Sequence, residues 1–203
     1  MSGYCDSAPG HALHGPYHDL EYGFPHREEA LLFERLVLEI NQAGLSWETM
    51  LKKRDGFRRA YDGFDVDTVA AYGDAERTRL LDDAGIIRNR LKVDAAIHNA
   101  RAIQGLRASH GSFAGWLDAH LMLDSLSNDP AARTPGDRPI DTSRPRDKAD
   151  WVKLFKQTFR FTGGEITGEF LMSLGYLAGA HREDCPVFAR IAVLDPPWRR
   201  VRA

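Results

Sequence analysis

The chain has 203 residues, 43% hydrophobic and 28% charged, a composition ordinary for a soluble globular protein of one large domain or two small ones. Its 27 basic and 29 acidic residues leave a formal charge of −2, which excludes a wholesale nucleic-acid binder and confines any phosphate binding to local patches. Unbroken apolar runs stop at about four residues (Val69 to Tyr72), and Met1 to Cys5 has neither a basic nor an apolar signal region, so no membrane span and no secretory signal are expected.

Residues 1–26, rich in Gly, Pro and His, read as a non-regular arm. From Glu28 to Ala43 the apolar residues Leu32, Leu36, Ile40 and Ala43 recur at helical spacing, and Gly44 ends the run. Ser46 is an N-cap for a helix from Trp47 to about Arg54. Asp65 opens a short helix over Val66–Tyr72, and Asp74 opens another that Gly85 closes. A long amphipathic helix is predicted from Ile87 to about Leu106, and Ser112 caps one over Phe113–Leu121. Residues 124–150 hold four prolines and no aromatics and read as a long connector, either ordered or partly mobile. Helical pattern resumes over Trp151–Gln157 and Glu165–Leu177. Period-2 runs are missing, so no sheet is expected. The predicted fold class is all-α.

Two cysteines at opposite ends of a chain expected in the cytoplasm argue against a disulfide and leave metal ligation or two inert thiols. Cys5 and His18 near the start, with His181 and Cys185 near the end, supply two thiolates and two imidazoles, a set that suits a closed tetrahedral zinc site. His181 and Cys185 lie four apart and share a face if their segment is helical. Two buried free thiols with two surface histidines remain the other reading.

Glu39 lies on the apolar stripe of its helix, three residues after Leu36 and four before Ala43. A carboxylate there is costly unless it is paired. Trp47 follows after a short turn, and Tyr17 and Tyr22 of the arm can add aromatic walls. Such a box suits a flat hydrogen-bonding ligand such as a nucleobase, although a helix-edge glutamate among core aromatics gives the same spacing. Further on, Phe159 to Ile166 sets Thr162, Gly163 and Gly164 between an apolar stub and a helix start, where free amides can receive a DNA phosphate. Two basic patches accompany it, one over 144–160 and one over Lys52, Lys53, Arg54, Arg58 and Arg59. Either could be no more than a solvated helix face.

Several strings resemble the bacterial 3-methyladenine DNA glycosylase I family: Tyr17-His-Asp-Leu-Glu-Tyr-Gly23, Leu38-Glu-Ile-Asn-Gln-Ala-Gly-Leu-Ser-Trp47, Ala84-Gly-Ile-Ile-Arg-Asn-Arg90, Phe159-Arg-Phe-Thr-Gly163 and the His181/Cys185 pair. The resemblance runs from about Cys5 to Cys185. It implies a helix-hairpin-helix glycosylase fold, a single helical unit whose terminal segments 1–26 and 178–190 are joined by structural zinc on Cys5, His18, His181 and Cys185. It also implies base recognition by Glu39, Tyr17 and Trp47, with Tyr22 beside them, and a DNA-gripping hairpin at Thr162, Gly163 and Gly164. The implied activity is monofunctional hydrolysis of the N-glycosidic bond of 3-methyladenine in duplex DNA by a monomer. A non-catalytic lesion binder or a glycosylase for another alkylpurine are the rivals. Three positions depart from the family pattern: Asp6 stands for an aromatic, Tyr22 for a tryptophan and His14 for a tyrosine, all three expected to alter the pocket rim.

Overall fold

A computed structural model describes residues 3–123 and 144–200, and these fold as helices. In chain order they are α1 (Gly3–Ser7), α2 (His14–Leu20), α3 (Glu29–Gln42), α4 (Trp47–Ala60), α5 (Val66–Ala70), α6 (Asp74–Asp82), α7 (Arg90–His110), α8 (Phe113–Ala119), α9 (Lys148–Thr158), α10 (Gly164–Ser173), α11 (Pro186–Ala192) and α12 (Pro197–Arg200), with a 3-10 turn at Asp62–Phe64. The all-α expectation holds. A two-residue antiparallel pairing, Met122–Leu123 with Arg144–Pro145, is the exception to the expected absence of strands. Two residues per strand are too few to show an alternating pattern. Most of the predicted connector, 124–143, lies outside the described residues.

Cap chemistry explains most helix boundaries. The side chains of Ser46, Asp65, Ser112 and Asp147 each accept from a backbone amide three residues on, where free first-turn donors need partners. The long helix α7 starts later than expected because Asn89, not Ile87, is its cap, its Oδ1 accepting from the Lys92 amide at 3.2 Å. It runs on to Gly111, whose φ of +74° ends it. The segment expected to be a non-regular arm contains two helices among its described residues 3–26. Helices of five and seven residues, α1 and α2, are too short to display a hydrophobic period, and Pro16 is tolerated in the first turn of α2. Nor is the His181–Cys185 segment helical; it is a turn that delivers both side chains to one point before α11 begins at Pro186.

The core gathers around α3, which touches α4, α5, α7, α8 and α10. Leu32, Phe33, Leu36, Val37, Leu38 and Ile40 are all at most 1% exposed, so nearly every face of α3 is covered. This is why its charged residues matter: Glu34, Arg35 and Glu39 have no solvent face to occupy and are buried with the rest. A second, smaller cluster of Cys185, Val187 and Ile191 packs with Cys5, Phe24 and Phe188 and joins the two ends of the described chain.

Helix α4 runs on past Arg54, where its end was expected, and through Gly56 to Ala60, because that glycine is a contact and not a break. A Cβ at Gly56 would run into the carbonyl oxygen of Gly85, so α4 presses directly on the loop before α7. Overpacking costs typically 1–3 kcal/mol, against the gain of up to about 1 kcal/mol that alanine brings to a helix. Gly56→Ala is therefore expected to lower unfolding stability by about 1–2 kcal/mol in urea. An unchanged midpoint would mean that the Gly85 loop yields at no cost.

Candidate active site

Helix α3 delivers Glu39 to the floor of a cavity of about 280 Å³. Tyr17 of α2, Tyr22 just after it and Trp47 at the start of α4 line the same cavity, so all four residues expected at the base site come together. The rings form a continuous wall: Tyr17 lies 5.1 Å from Trp47 and 5.6 Å from Tyr22 between centroids. Glu39 is 4% exposed, and its carboxylate makes no hydrogen bond among the described residues. Burial pushes its carboxyl up from 4.5 to about 8, with the Arg35 guanidinium opposing and the Glu169 carboxylate adding to the rise. A buried carboxylate with no bonded partner and with open space beside aromatic rings marks a binding group more than a structural one.

Behind this wall lies a chain of ion pairs. Arg35, 2% exposed, sits under the Tyr17 ring at 4.7 Å from its centroid and bonds Glu21 at 3.2 Å. Arg54 holds Glu21 at 2.7 Å and Glu34 at 2.5 Å, and Arg58 holds Glu34 at 2.8 Å. Two of the five cations expected in one surface patch are thus tied up in ion pairs, Arg54 largely covered and Arg58 still exposed. Of the others, Lys52 pairs with Glu48, Lys53 donates to the Ala84 carbonyl, and Arg59 is exposed. Spacing alone could not tell these fates apart.

Cys5, His18, His181 and Cys185 converge as expected, their ligand atoms all within 4.8 Å of one another, and both cysteines are free. The set could hold a metal ion. The Cys5 and Cys185 sulfurs lie 3.7 and 3.6 Å from His181 Nδ1, and Cys185 Sγ lies 3.8 Å from His18 Nε2. Each imidazole uses its other nitrogen elsewhere: His18 Nδ1 donates to Asp19 at 2.7 Å and His181 Nε2 donates to the Tyr22 carbonyl at 2.7 Å. Those bonds leave a lone pair on each ring aimed at the sulfurs. Two of the three departures from the family pattern do not line the cavity themselves, although His14 bonds Tyr4, which does. Asp6 takes two bonds from Arg182 at 2.7 Å each, and His14 bonds the Tyr4 hydroxyl at 3.1 Å. Only Tyr22 lines the cavity itself.

Helices α9 and α10 are joined by a tight turn over 159–163. Asn99 of α7 pins it, donating to the Arg160 carbonyl at 3.1 Å and accepting from its amide at 2.8 Å. Thr162 is buried with its hydroxyl on the Phe159 carbonyl, so its side chain is unavailable to a ligand and only its backbone is left. No side chain caps α10, and a Cβ at Gly163 or Gly164 would meet nothing within 4 Å. The amides there open onto space, beside exposed Lys156, Arg160 and Phe161. In the first basic patch Arg144 pairs with Asp150 and Lys148 with Glu165, leaving Lys153, Lys156 and Arg160 as exposed cations.

Sequence reasoning missed Tyr4, Gln42 and Glu169 in the cavity lining. Glu169 carried a readable signal, since it falls three residues after Ile166 on one face of α10. Leu45 was also missed. It is 42% exposed on the turn between Gln42 and Trp47, which Lys92 braces by donating to the Asn41 and Ala43 carbonyls at 2.9 and 2.8 Å.

The raised pKa of Glu39 has a stability consequence. Between pH 4.5 and about 8 the folded protein keeps a proton that the unfolded chain has released, so this group's contribution falls as pH rises through that window. The slope is at most about 1.4 kcal/mol per pH unit. Glu39→Gln has no such proton, and the variant is expected to gain on the wild type steadily from pH 5 to pH 8 in urea unfolding. A gap that stays constant with pH would place the Glu39 proton elsewhere.

A family model described as methyladenine glycosylase matches residues 8–189. The DNA-3-methyladenine glycosylase of Haemophilus influenzae is 32% identical over 92% of this chain and 98% of that protein. DNA-3-methyladenine glycosylase 1 of Escherichia coli K12 is 36% identical over 85% of this chain and 90% of that one. A crystal structure of a 3-methyladenine DNA glycosylase I superposes with a TM-score of 0.71 at 33% identity, covering 90% of this chain and 97% of that one. Another, of a variant in complex with 3-methyladenine, has a TM-score of 0.72 at 27% identity, covering 91% and 97%. Matched by the family model over residues 8–189 and by these relatives over most of its length, the chain belongs to the methyladenine glycosylase family.

Proposed function

We propose that this protein hydrolyses the N-glycosidic bond of 3-methyladenine in duplex DNA, leaving an abasic site. The observation that carries the reading is Glu39: a buried carboxylate with no hydrogen-bond partner among the described residues, beside Tyr17, Tyr22 and Trp47. Methylation at N3 gives the base a formal positive charge, so it is already a good leaving group. The C1′–N9 bond breaks with its electron pair passing to the base, water bonds C1′, and the water gives up a proton. The enzyme has to extract the nucleotide, recognise the base and admit the water. Stacking on Trp47 and Tyr17 at about 1–3 kcal/mol per base offsets much of the few kcal/mol that flipping costs. Glu39 accepts from the 6-amino group and favours the cation over neutral adenine. Leu45, exposed on the turn between the cavity-lining residues Gln42 and Trp47, suits the gap that a flipped nucleotide leaves in the stack.

The α9–α10 turn works as a helix-hairpin-helix, with the backbone of Thr162, Gly163 and Gly164 holding a phosphate independently of sequence. The reaction is monofunctional. Lys92, the buried lysine among the described residues, has its amine on two carbonyls, and no lysine is among the described residues that line the cavity. No described helix is long and apolar enough to cross a membrane. The chain acts as one unit, a cytoplasmic monomer on DNA.

Cys5, His18, His181 and Cys185 hold a structural zinc. A tetrahedral zinc with bonds of about 2.3 Å to sulfur and 2.0–2.1 Å to nitrogen has S···N edges of roughly 3.5–3.6 Å, close to the separations found. All four positions are filled by protein, so the metal supplies folding energy and leaves no place for a reacting water. Freshly purified protein is expected to contain about one equivalent of zinc, and Cys185→Ser to lose both metal and melting temperature. A Cys185→Ser variant that keeps both would remove zinc from the proposal.

The activity is tested by release of free base from methylated duplex DNA. Glu39→Gln is expected to slow release of 3-methyladenine by about ten- to a hundredfold, since hydrogen bonds to charged groups contribute roughly 1.5–3 kcal/mol. Affinity for abasic DNA should not change, because no base fills the cavity. Normal excision by the variant would take Glu39 out of the site, and no release by the wild type would overturn the function.

A further inference from the structure

The cavity holds a second carboxylate. Glu169 reaches it from α10, while Glu39 reaches it from α3, and no lysine or arginine is among the residues that line it. Glu169 Oε2 accepts from the Tyr22 hydroxyl at 3.0 Å, and Oε1 bonds nothing among the described residues. Unlike Glu21 and Glu34, which are both held by arginines, Glu169 has no cationic partner among the described residues. An acidic residue facing a half-buried cavity without a counter-ion is poorly placed for stability alone. Two carboxylates in one cavity repel each other, and a positively charged occupant relieves that repulsion where a neutral one does not.

We propose that Glu169 is a second recognition group of the base site: its charge acts with that of Glu39 to select purines that carry a positive charge, while its other oxygen fixes the ring of Tyr22. The inference rests on the glycosylase reading above and deepens it by assigning the selection for charge to two residues on two helices. The groups that face Glu39 fit this division. Arg35 lies on its own helix, Glu169 faces it from α10, and Tyr17 and Tyr22 face it from α2 and the segment that follows. Arg35 favours ionised Glu39 and Glu169 opposes it. With Glu169 neutral, Glu39 ionises at lower pH.

The test compares Glu169→Gln with the wild type on two duplexes, one carrying 3-methyladenine and one carrying its neutral 3-deaza analogue, which cannot be cleaved. Glu169→Gln keeps an acceptor for Tyr22 and removes the charge. It is expected to slow excision of 3-methyladenine by about tenfold or more and to leave affinity for the neutral duplex within about twofold. The ascending limb of its pH–rate profile should move to lower pH. Glu169→Asp, which keeps the charge, should recover most of the rate. Tyr22→Phe, which removes only the hydroxyl, should lose less than Glu169→Gln.

Equal excision by Glu169→Gln and wild type would overturn the inference. So would parallel losses on both duplexes, or a Tyr22→Phe loss as large as that of Glu169→Gln, because Glu169 would then act only by holding Tyr22. Failure of the wild type itself to release base would overturn the glycosylase reading and this one with it, and is read in the same assay before any variant.

Discussion

The site depends on a guanidinium buried where water cannot reach it. Arg35 lies under the Tyr17 ring and is paired with Glu21, which Arg54 links to Glu34 and Arg58 in turn. Buried ion pairs are a poor source of net stability, since desolvation cancels most of the attraction. What this chain of charges fixes is geometry. It ties the end of α2 to α3 and α4, so the segment that carries Tyr17 cannot shift without stranding a charge. It also sits one helical turn from Glu39, where its field offsets part of the burial that would otherwise keep the carboxylate protonated. One buried cation therefore holds an aromatic wall and moderates the acid beside it.

The helical class and the role of α3 were legible because α3 is long and its stripe is regular, so a carboxylate on the stripe stood out at once. The same pattern is present in α10, where Glu169 shares a stripe with Ile166 and Met172. The short helices α1 and α2 were not legible. Five and seven residues make fewer than two turns, too few for an apolar stripe to repeat, and their stability comes from tertiary packing and the cysteine–histidine cluster. The fate of individual cations was hidden for another reason. Arg54 and Arg59 stand five apart in one charged run, yet one is bonded to two glutamates and the other lies in solvent. Local spacing carries no record of which acids arrive from elsewhere.

The cysteine–histidine cluster is wired to the cavity and is not a remote fastening. His181 donates to the Tyr22 carbonyl, and Gly179 and Ala180, just before it, line the cavity. Gly23 follows Tyr22 with a φ of +84°, and a Cβ there would strike the side chains of Ala180 and Ile191, so the backbone at Gly23 lies directly against side chains from the far end of the described chain. Tyr22 is thus fixed at both ends: its carbonyl by the cluster and its hydroxyl by Glu169. Disturbing the cluster moves a wall of the site, which links the folding of the termini to whatever occupies the cavity.

A base that leaves readily poses a problem of selection more than of chemistry. The neutral purines of undamaged DNA vastly outnumber the charged ones and have nearly the same shape, so aromatic stacking alone cannot separate them. Charge can, but only if the acids that read it are dry enough to act strongly and still able to ionise. The two helices that present those acids carry the proposed DNA contacts at their ends. The C-terminal end of α3 runs into the braced turn bearing Leu45, and the uncapped N-terminal end of α10 opens beside exposed Lys156 and Arg160. A helix transmits displacement along its axis with little loss. Seating the duplex on those two ends therefore sets where Glu39 and Glu169 stand relative to the extruded base, and reading the charge becomes part of the same rigid arrangement as gripping the backbone.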